Sequence, residues 1–375
     1  MAPVVLTGRI VTGRRVLPEG WVELTDGVVT ALGEGRLPTG SDVRRADLVV
    51  PGFVDLHCHG GAGEQFGAAG SVGTDAARTV AALHRRHGTT TLVASLVSRP
   101  VAELQAAVEA LRPLVADGTL AGVHLEGPWL SERFRGAHDP QQLQPPAPAD
   151  VTRLTATGLV RMVTLAPELE GGLDAVRALT ESGVVVAIGH TAADAGLVRA
   201  AVDAGARVAT HLFNGMPSLH HREPGPVLAL LDDDRVTVEL IADGVHLDAR
   251  VVAFAARHAG VGRTALVTDA MAAAGAADGR YPLGGLEVDV VDGVARLVEG
   301  GAVAGSTLTL DRALRFAVQE AGLGLDDALA AVTTTPAAVL GRPDVGHLEV
   351  GARGGAVLLD ADLRVLAVEG GPGPG

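Results

Sequence analysis

From Pro51 onward the chain repeats one alternation, an apolar β-prone run followed by an alanine-rich helical stretch. Eight such runs are candidate strands: "FVDLHCH" (53–59), "TTTLVAS" (89–95), "AGVHLEG" (121–127), "VRMVTLAPE" (160–168), "VVVAIGHT" (184–191), "RVATHLFN" (207–214), "VTVELIADG" (236–244) and "TALVTDA" (264–270). Segments such as "TDAARTVAALHRRH", "PVAELQAAVEALRPLV" and "DAGLVRAAVDAG" supply the intervening helices. Eight parallel strands with helices outside them predict a (β/α)8 barrel of the TIM type. A doubly wound sheet fits less well, because no glycine-rich dinucleotide loop follows an early strand.

The two ends have a different texture. Residues 4–50 carry short β-prone pieces, "VVLTGRIV", "WVELTD" and "VVTALG", broken by Gly and Pro. Short strands and glycines return from about residue 341 in "GHLEVGARGGAVLLDADLRVLAVEGG". The expected organisation is therefore a small β-sandwich domain built from residues 1–50 and 341–375, with a barrel at 51–340 between them. Residues 281–305 read as a hairpin excursion and 306–333 as a return to helix. The closing "PGPG" is expected to fray.

Composition narrows the function classes. With 47% apolar residues in 375, a large core can be buried. The net charge of −14 argues against a nucleic-acid partner, which would leave a basic footprint. Any anionic substrate must then be held by local cations rather than by the overall field. The single cysteine, Cys58, excludes an internal disulfide and a thiolate-rich zinc site. No lysine occurs, so all 30 basic residues are arginines. That removes a P-loop lysine, a Schiff-base lysine and a carbamylated lysine bridging two metals. The N-terminus has no signal-peptide pattern and no apolar run reaches membrane-span length, so a cytoplasmic protein without membrane contact is expected.

In a barrel of this kind chemistry gathers at the C-terminal ends of the strands. Those ends carry His57, His59, Glu126, His190, His211, Asn214, Asp243 and Asp269. His57 and His59 are two apart, so an extended strand points both imidazoles the same way and Cys58 into the core. Imidazole and carboxylate donors suit Zn²⁺, with Fe²⁺, Mn²⁺ or Co²⁺ as alternatives. Glu126 lies between the two histidine pairs in sequence and could bridge two ions. His124 faces the same interior more deeply and is read as a supporting residue. His84, His87 and His258 fall in helical stretches and His347 in the terminal sheet, where surface or structural roles are expected.

The motifs "PGFVDLHCHG", "HLEGPWL", "AIGHT", "THLFNGM", "HREPG", "IADGVH" and "LVTDA" together resemble N-acetylglucosamine-6-phosphate deacetylase, within the amidohydrolase superfamily of metal-dependent barrels. The similarity runs in order from about residue 4 to residue 365. The resemblance implies Glu126, His190 and His211 as main metal ligands, with His57 and His59 forming a second position, hence one or two divalent ions per chain. It implies Asp269 as catalytic acid/base and His138 as the contact for the substrate's amide carbonyl. Asn214, Gly215, Arg222, His246 and Val303, Ala304 and Gly305 match substrate-binding positions. The implied ligand is a phosphorylated amino sugar, and Arg222 lies on a loop that can cross a subunit boundary, so a homodimer is expected. Two departures are "NGM" for the commoner "NAM" and an extra His221. Rival readings are an amidohydrolase acting on another N-acetyl amino sugar, and a non-catalytic barrel that should have lost ligands.

Overall fold

The computed structural model describes residues 3–38, 42–67 and 74–371; the "PGPG" at 372–375 lies outside them. The eight strands of the central sheet are Phe53–Cys58, Thr89–Val97, Gly122–Glu126, Val160–Leu165, Val185–Ile188, Val208–Ala209, Thr237–Leu240 and Thr264–Leu266. Each pairs in parallel with the next in sequence. The ring closes beyond the last strand at a bridge between Cys58 and Ala270. Here His59 N–H donates to the Ala270 carbonyl at 2.8 Å, and Asp269 N–H to that of His57, also at 2.8 Å. Strands such as Phe53–Cys58 and Gly122–Glu126 are buried along their whole length. Side chains fill the inside and helices cover the outside, so these strands read as continuous apolar runs.

The helices fall where alanine-rich stretches were expected, for example Thr74–Arg86, Val101–Ala110 and Ala195–Ala204. The last of these starts at an Asp194 cap, whose carboxylate accepts from Leu197 N–H at 2.8 Å. Among the described residues no helix is long and apolar enough to cross a membrane.

Both chain ends contribute to one further sheet. Its strands run in the order Val365–Glu369, Ala356–Leu359, Asp42–Pro51, Val4–Val11, Val16–Thr25 and Val28–Glu34. All pairings are antiparallel except that of Val4–Val11 with Asp42–Pro51. It has its own core, including Leu6, Ile10, Val22, Val49 and Leu358. The terminal β structure expected from both ends is therefore one hydrogen-bonded sheet.

Two local differences from the sequence reading matter for the site. The hairpin expected at 281–305 is a three-stranded sheet, Gly279–Leu283, Leu286–Val291 and Val294–Leu297. It packs Leu283, Val288 and Val290 against Met271 and Ala272, just past the closing bridge. The apolar runs also outlast the strands. The sixth run covers 207–214, but only Val208–Ala209 pair as strand. The chain leaves the sheet at His190, His211 and Asp269, whose φ values are 47°, 25° and 47°. Left-handed backbone at non-glycine residues is strained and gathers at functional sites. The ends of three runs are thus spent on aiming side chains.

Candidate active site

Glu126 is the last residue of its strand, and His190, His211 and Asp269 sit at the left-handed turns. His57 and His59 come from the first strand and the residue following its end. Their side chains meet under an open cleft of about 630 Å³ whose lining includes His59, Glu126, His138, His190, His211, His246 and Asp269. Cys58 points away into the apolar core, as the alternation required.

The inner nitrogens and oxygens are close. Glu126 Oε1 lies 3.1 Å from His190 Nε2, 3.0 Å from His211 Nε2 and 3.5 Å from His57 Nε2. Glu126 Oε2 lies 3.1 Å from His59 Nε2. Asp269 Oδ1 lies 3.2 Å from His59 Nε2 and 3.4 Å from His57 Nε2. Glu126 thus touches both histidine pairs, while Asp269 touches one.

The outer ring nitrogens define the tautomers. His190 Nδ1 donates to the Phe134 carbonyl at 2.8 Å and His59 Nδ1 to that of Ser95 at 3.2 Å. His57 Nδ1 faces a carboxylate oxygen of Glu239 at 3.3 Å. An imidazole that donates from Nδ1 presents its Nε2 lone pair. In the neutral rings, the lone pairs of His57 and His59 would face each other across 3.0 Å. Such a contact repels unless a cation or a proton lies between. Ligand atoms of a tetrahedral ion at about 2.0–2.2 Å would be about 3.3–3.6 Å apart, close to the spacings here. The donor set therefore fits a divalent ion.

Burial opposes charge on His57 and His59, yet the Glu126 and Asp269 carboxylates raise both pKa values. Burial alone would also raise Glu126 and Asp269, but the surrounding histidines hold both below the usual carboxylate range. Both acids stay ionised at neutral pH.

His138 differs from the others. The Ser98 backbone N–H donates to its Nδ1 at 3.3 Å, so the ring proton sits on Nε2, which faces Glu126 Oε2 at 3.2 Å. Burial lowers its pKa to about 4, so the ring is neutral. A neutral ring with an N–H at the cleft offers a hydrogen-bond donor there, although its nitrogen also lies close enough to Glu126 and His190 to share an ion with them.

Asn214, Gly215, Val303, Gly305 and His246 line the same cleft, whereas Ala304 turns its side chain into the small apolar core beneath. Gly215 has φ 61°, and a Cβ there would lie 2.8 Å from His190 Nδ1. The glycine of "NGM" thus leaves room for the His190 ring. His246 Nδ1 donates to Asp243 Oδ2 at 2.7 Å, and the backbone N–H groups of Val245 and His246 donate to Asp243 Oδ1. Burial works against charge on His246, but Asp243, and Asp269 more remotely, raise its pKa. Arg222 is exposed, beside His221 at 2.6 Å, and does not line the cleft of its own chain.

Of the remaining histidines, His84 and His258 lie in helices as expected, whereas His87 lies in the turn just past its helix and His347 in a bend ahead of the terminal-sheet strand Ala356–Leu359 rather than in that sheet. His124 is buried between Ser95 and Thr164. His84 donates from Nε2 to the Gly60 carbonyl at 3.0 Å, and His87 pairs with Asp311. His258 lies near Asp232, and His347 near the Pro343 carbonyl. A further group, Asp55, Cys58 and His84, has donors close enough for an ion. Its carboxylate is already engaged by the Thr268 hydroxyl at 2.7 Å and by the His57 backbone N–H. One site neighbour escaped sequence reasoning altogether: Glu239, wholly buried in the seventh strand. Its only signal was a lone carboxylate inside an apolar run.

Residues 48–372 match the Amidohydrolase family. N-acetylgalactosamine-6-phosphate deacetylase of Escherichia coli O157:H7 is 38% identical, over 96% of this chain and 97% of its own. N-acetylglucosamine-6-phosphate deacetylase of Vibrio furnissii is 37% identical, over 84% and 80%. Among solved structures, an aspartate-to-alanine mutant of N-acetyl-D-glucosamine-6-phosphate deacetylase from Mycobacterium smegmatis, in complex with N-acetyl-D-glucosamine-6-phosphate, superposes with a TM-score of 0.94. It is 45% identical, covering 100% of this chain and 99% of that one.

Proposed function

The chain belongs to the amidohydrolase family, and from that premise we propose that it hydrolyses N-acetyl-D-glucosamine 6-phosphate to D-glucosamine 6-phosphate and acetate, in amino-sugar catabolism or cell-wall recycling. The observation that carries this reading is full-length likeness, at 45% identity, to a deacetylase holding that sugar phosphate. A second reading is favoured by the Escherichia coli relative, whose name gives the galactosamine epimer. Rates of acetate release from the two epimers at matched concentrations decide between them, and a higher kcat/KM for the glucosamine form is expected.

Amide hydrolysis is slow because the carbonyl is a poor electrophile and the amine a poor leaving group. Glu126, His190 and His211 would hold one divalent ion, most simply zinc, and His57 with His59 a second. A bound ion there would polarise the carbonyl and lower the pKa of a water toward about 7. Asp269 Oδ1 takes a proton from the attacking water and passes it to the departing nitrogen. The His138 Nε2–H donates to the carbonyl oxygen as negative charge develops on it. Asn214, Gly215, Val303 and Gly305 bound the sugar. The expected assembly is a cytoplasmic homodimer in which Arg222 reaches the partner's cleft.

Phosphate recognition without lysine rests on Arg222 and His246. Arg222→Ala should raise KM for the phosphorylated sugar by about 10- to 150-fold, the loss of a charge-assisted hydrogen bond of about 1.5–3 kcal/mol. KM for unphosphorylated N-acetylglucosamine should hardly change. Because the His246 pKa is raised, its imidazolium persists above the ordinary histidine range and is lost as pH rises through the folded value. KM for the phosphorylated sugar should therefore climb with pH across that loss, and Asp243→Asn should move the climb to lower pH. Steady-state kinetics on both sugars check this. Equal changes for the two would remove both residues from the phosphate site.

A further inference from the structure

Glu239 has no part in the reaction as described, yet among the described residues it is the one carboxylate against an outer nitrogen of the four candidate metal-holding imidazoles, His57, His59, His190 and His211. His59 and His190 turn their Nδ1 atoms to backbone carbonyls, and His211 Nδ1 has no hydrogen-bond partner among the described residues. Of these four, His57 Nδ1 alone faces a side-chain carboxylate, Glu239 Oε2 at 3.3 Å. Both side chains are fully buried. The same oxygen accepts from the His211 backbone N–H at 3.3 Å, and the Glu239 carbonyl accepts from Leu212 N–H at 2.8 Å. Glu239 therefore braces the His57 ring and the left-handed turn that carries His211. Its other oxygen, Oε1, has no hydrogen-bond partner among the described residues. A leucine or methionine would fill this apolar position without burying a polar group, so packing alone does not call for a glutamate.

We infer that Glu239 is a positioning residue for His57, and that it sets cation affinity at the His57–His59 position. This rests on the metal-dependent reading above. A carboxylate on Nδ1–H fixes the tautomer with Nε2 free, holds the ring plane and makes Nε2 more basic. Loss of such a partner costs roughly 10- to 100-fold in metal affinity. The Glu126–His190–His211 position has no comparable link to Glu239 through its imidazole nitrogens. Its affinity should stay near that of the unmodified protein, with only a small effect through the His211 backbone.

The test is zinc binding to metal-stripped protein in competition with a chromophoric chelator, with zinc per chain counted by elemental analysis. Glu239→Gln keeps volume and an acceptor oxygen but removes the charge; Glu239→Leu removes both. The expected result is two ions per unmodified chain, with affinity at one position falling about 10- to 100-fold in Glu239→Leu and less in Glu239→Gln. His57→Ala should abolish that same ion. Unchanged binding at both positions in Glu239→Gln would overturn the assignment, whether or not the leucine variant folds. Equal weakening at both positions would overturn it as well. An unmodified protein without a second ion would refute the two-ion reading itself, and with it the role of Glu239.

Discussion

Asp269→Asn should reduce kcat by about 10²- to 10⁴-fold, the usual contribution of general acid–base catalysis. The loss should reach or pass the upper end, because one carboxylate handles both proton transfers. The amide preserves shape and hydrogen-bonding capacity and cannot accept the proton. Histidine charges hold the Asp269 carboxyl far below the usual carboxylate range, so the residue begins the cycle ready to accept. Its Oδ1 also sits 3.2 Å from His59 Nε2, close enough to touch whatever His59 holds. Turnover, substrate affinity and metal content should be measured on one preparation. Lost turnover with metal and substrate binding retained identifies the proton carrier. Lost turnover with lost metal makes Asp269 a ligand instead, and near-normal turnover would end the mechanism.

His190→Ala combined with His211→Ala should also be severely damaging. Those two rings lie 3.0–3.1 Å from a single oxygen, Glu126 Oε1, so the double variant removes two of three donors around one point. With the ion go several kcal/mol of transition-state stabilisation, at least about 10³-fold in kcat. Elemental analysis should show the Glu126-centred ion gone while the His57–His59 position still takes up zinc. Full occupancy in a folded double variant would mean that the cluster is a polar packing motif and not a metal centre.

How far the sequence carried this account varies with the kind of signal. The barrel was legible because its strands are covered on both faces, leaving eight apolar runs separated by helical stretches. The residues at the run ends were legible for the same reason: Glu126, His190, His211 and Asp269 stand out where apolar character stops. The turn geometry was not. Nothing in "THLFN" announces that pairing ends at Ala209 and that His211 takes a φ of 25°, because that choice is made by tertiary contacts. His138 is the last residue of the loop segment "RGAH", outside any periodic element, and entered only through family resemblance. Its donor role rests on the Ser98 backbone N–H fixing the tautomer, a long-range contact. Glu239 was missed because periodicity marks a lone glutamate in a strand as a surface position. Only the closed barrel turns that position toward His57. Arg222 lies outside its own chain's cleft, and the sequence placed it on a loop expected to serve a partner rather than its own chain.

The central claim is that buried imidazoles and carboxylates at the barrel mouth, once loaded with a divalent ion, cleave the acetamide of a phosphorylated amino sugar. The most direct measurement is acetate released from N-acetyl-D-glucosamine 6-phosphate by the purified protein, first stripped of metal and then titrated with zinc. The account predicts no release from the stripped protein, and release that rises with bound zinc and saturates at one or two ions per chain. Release independent of metal, or a fully loaded protein that frees no acetate from this sugar or its epimer, would contradict it.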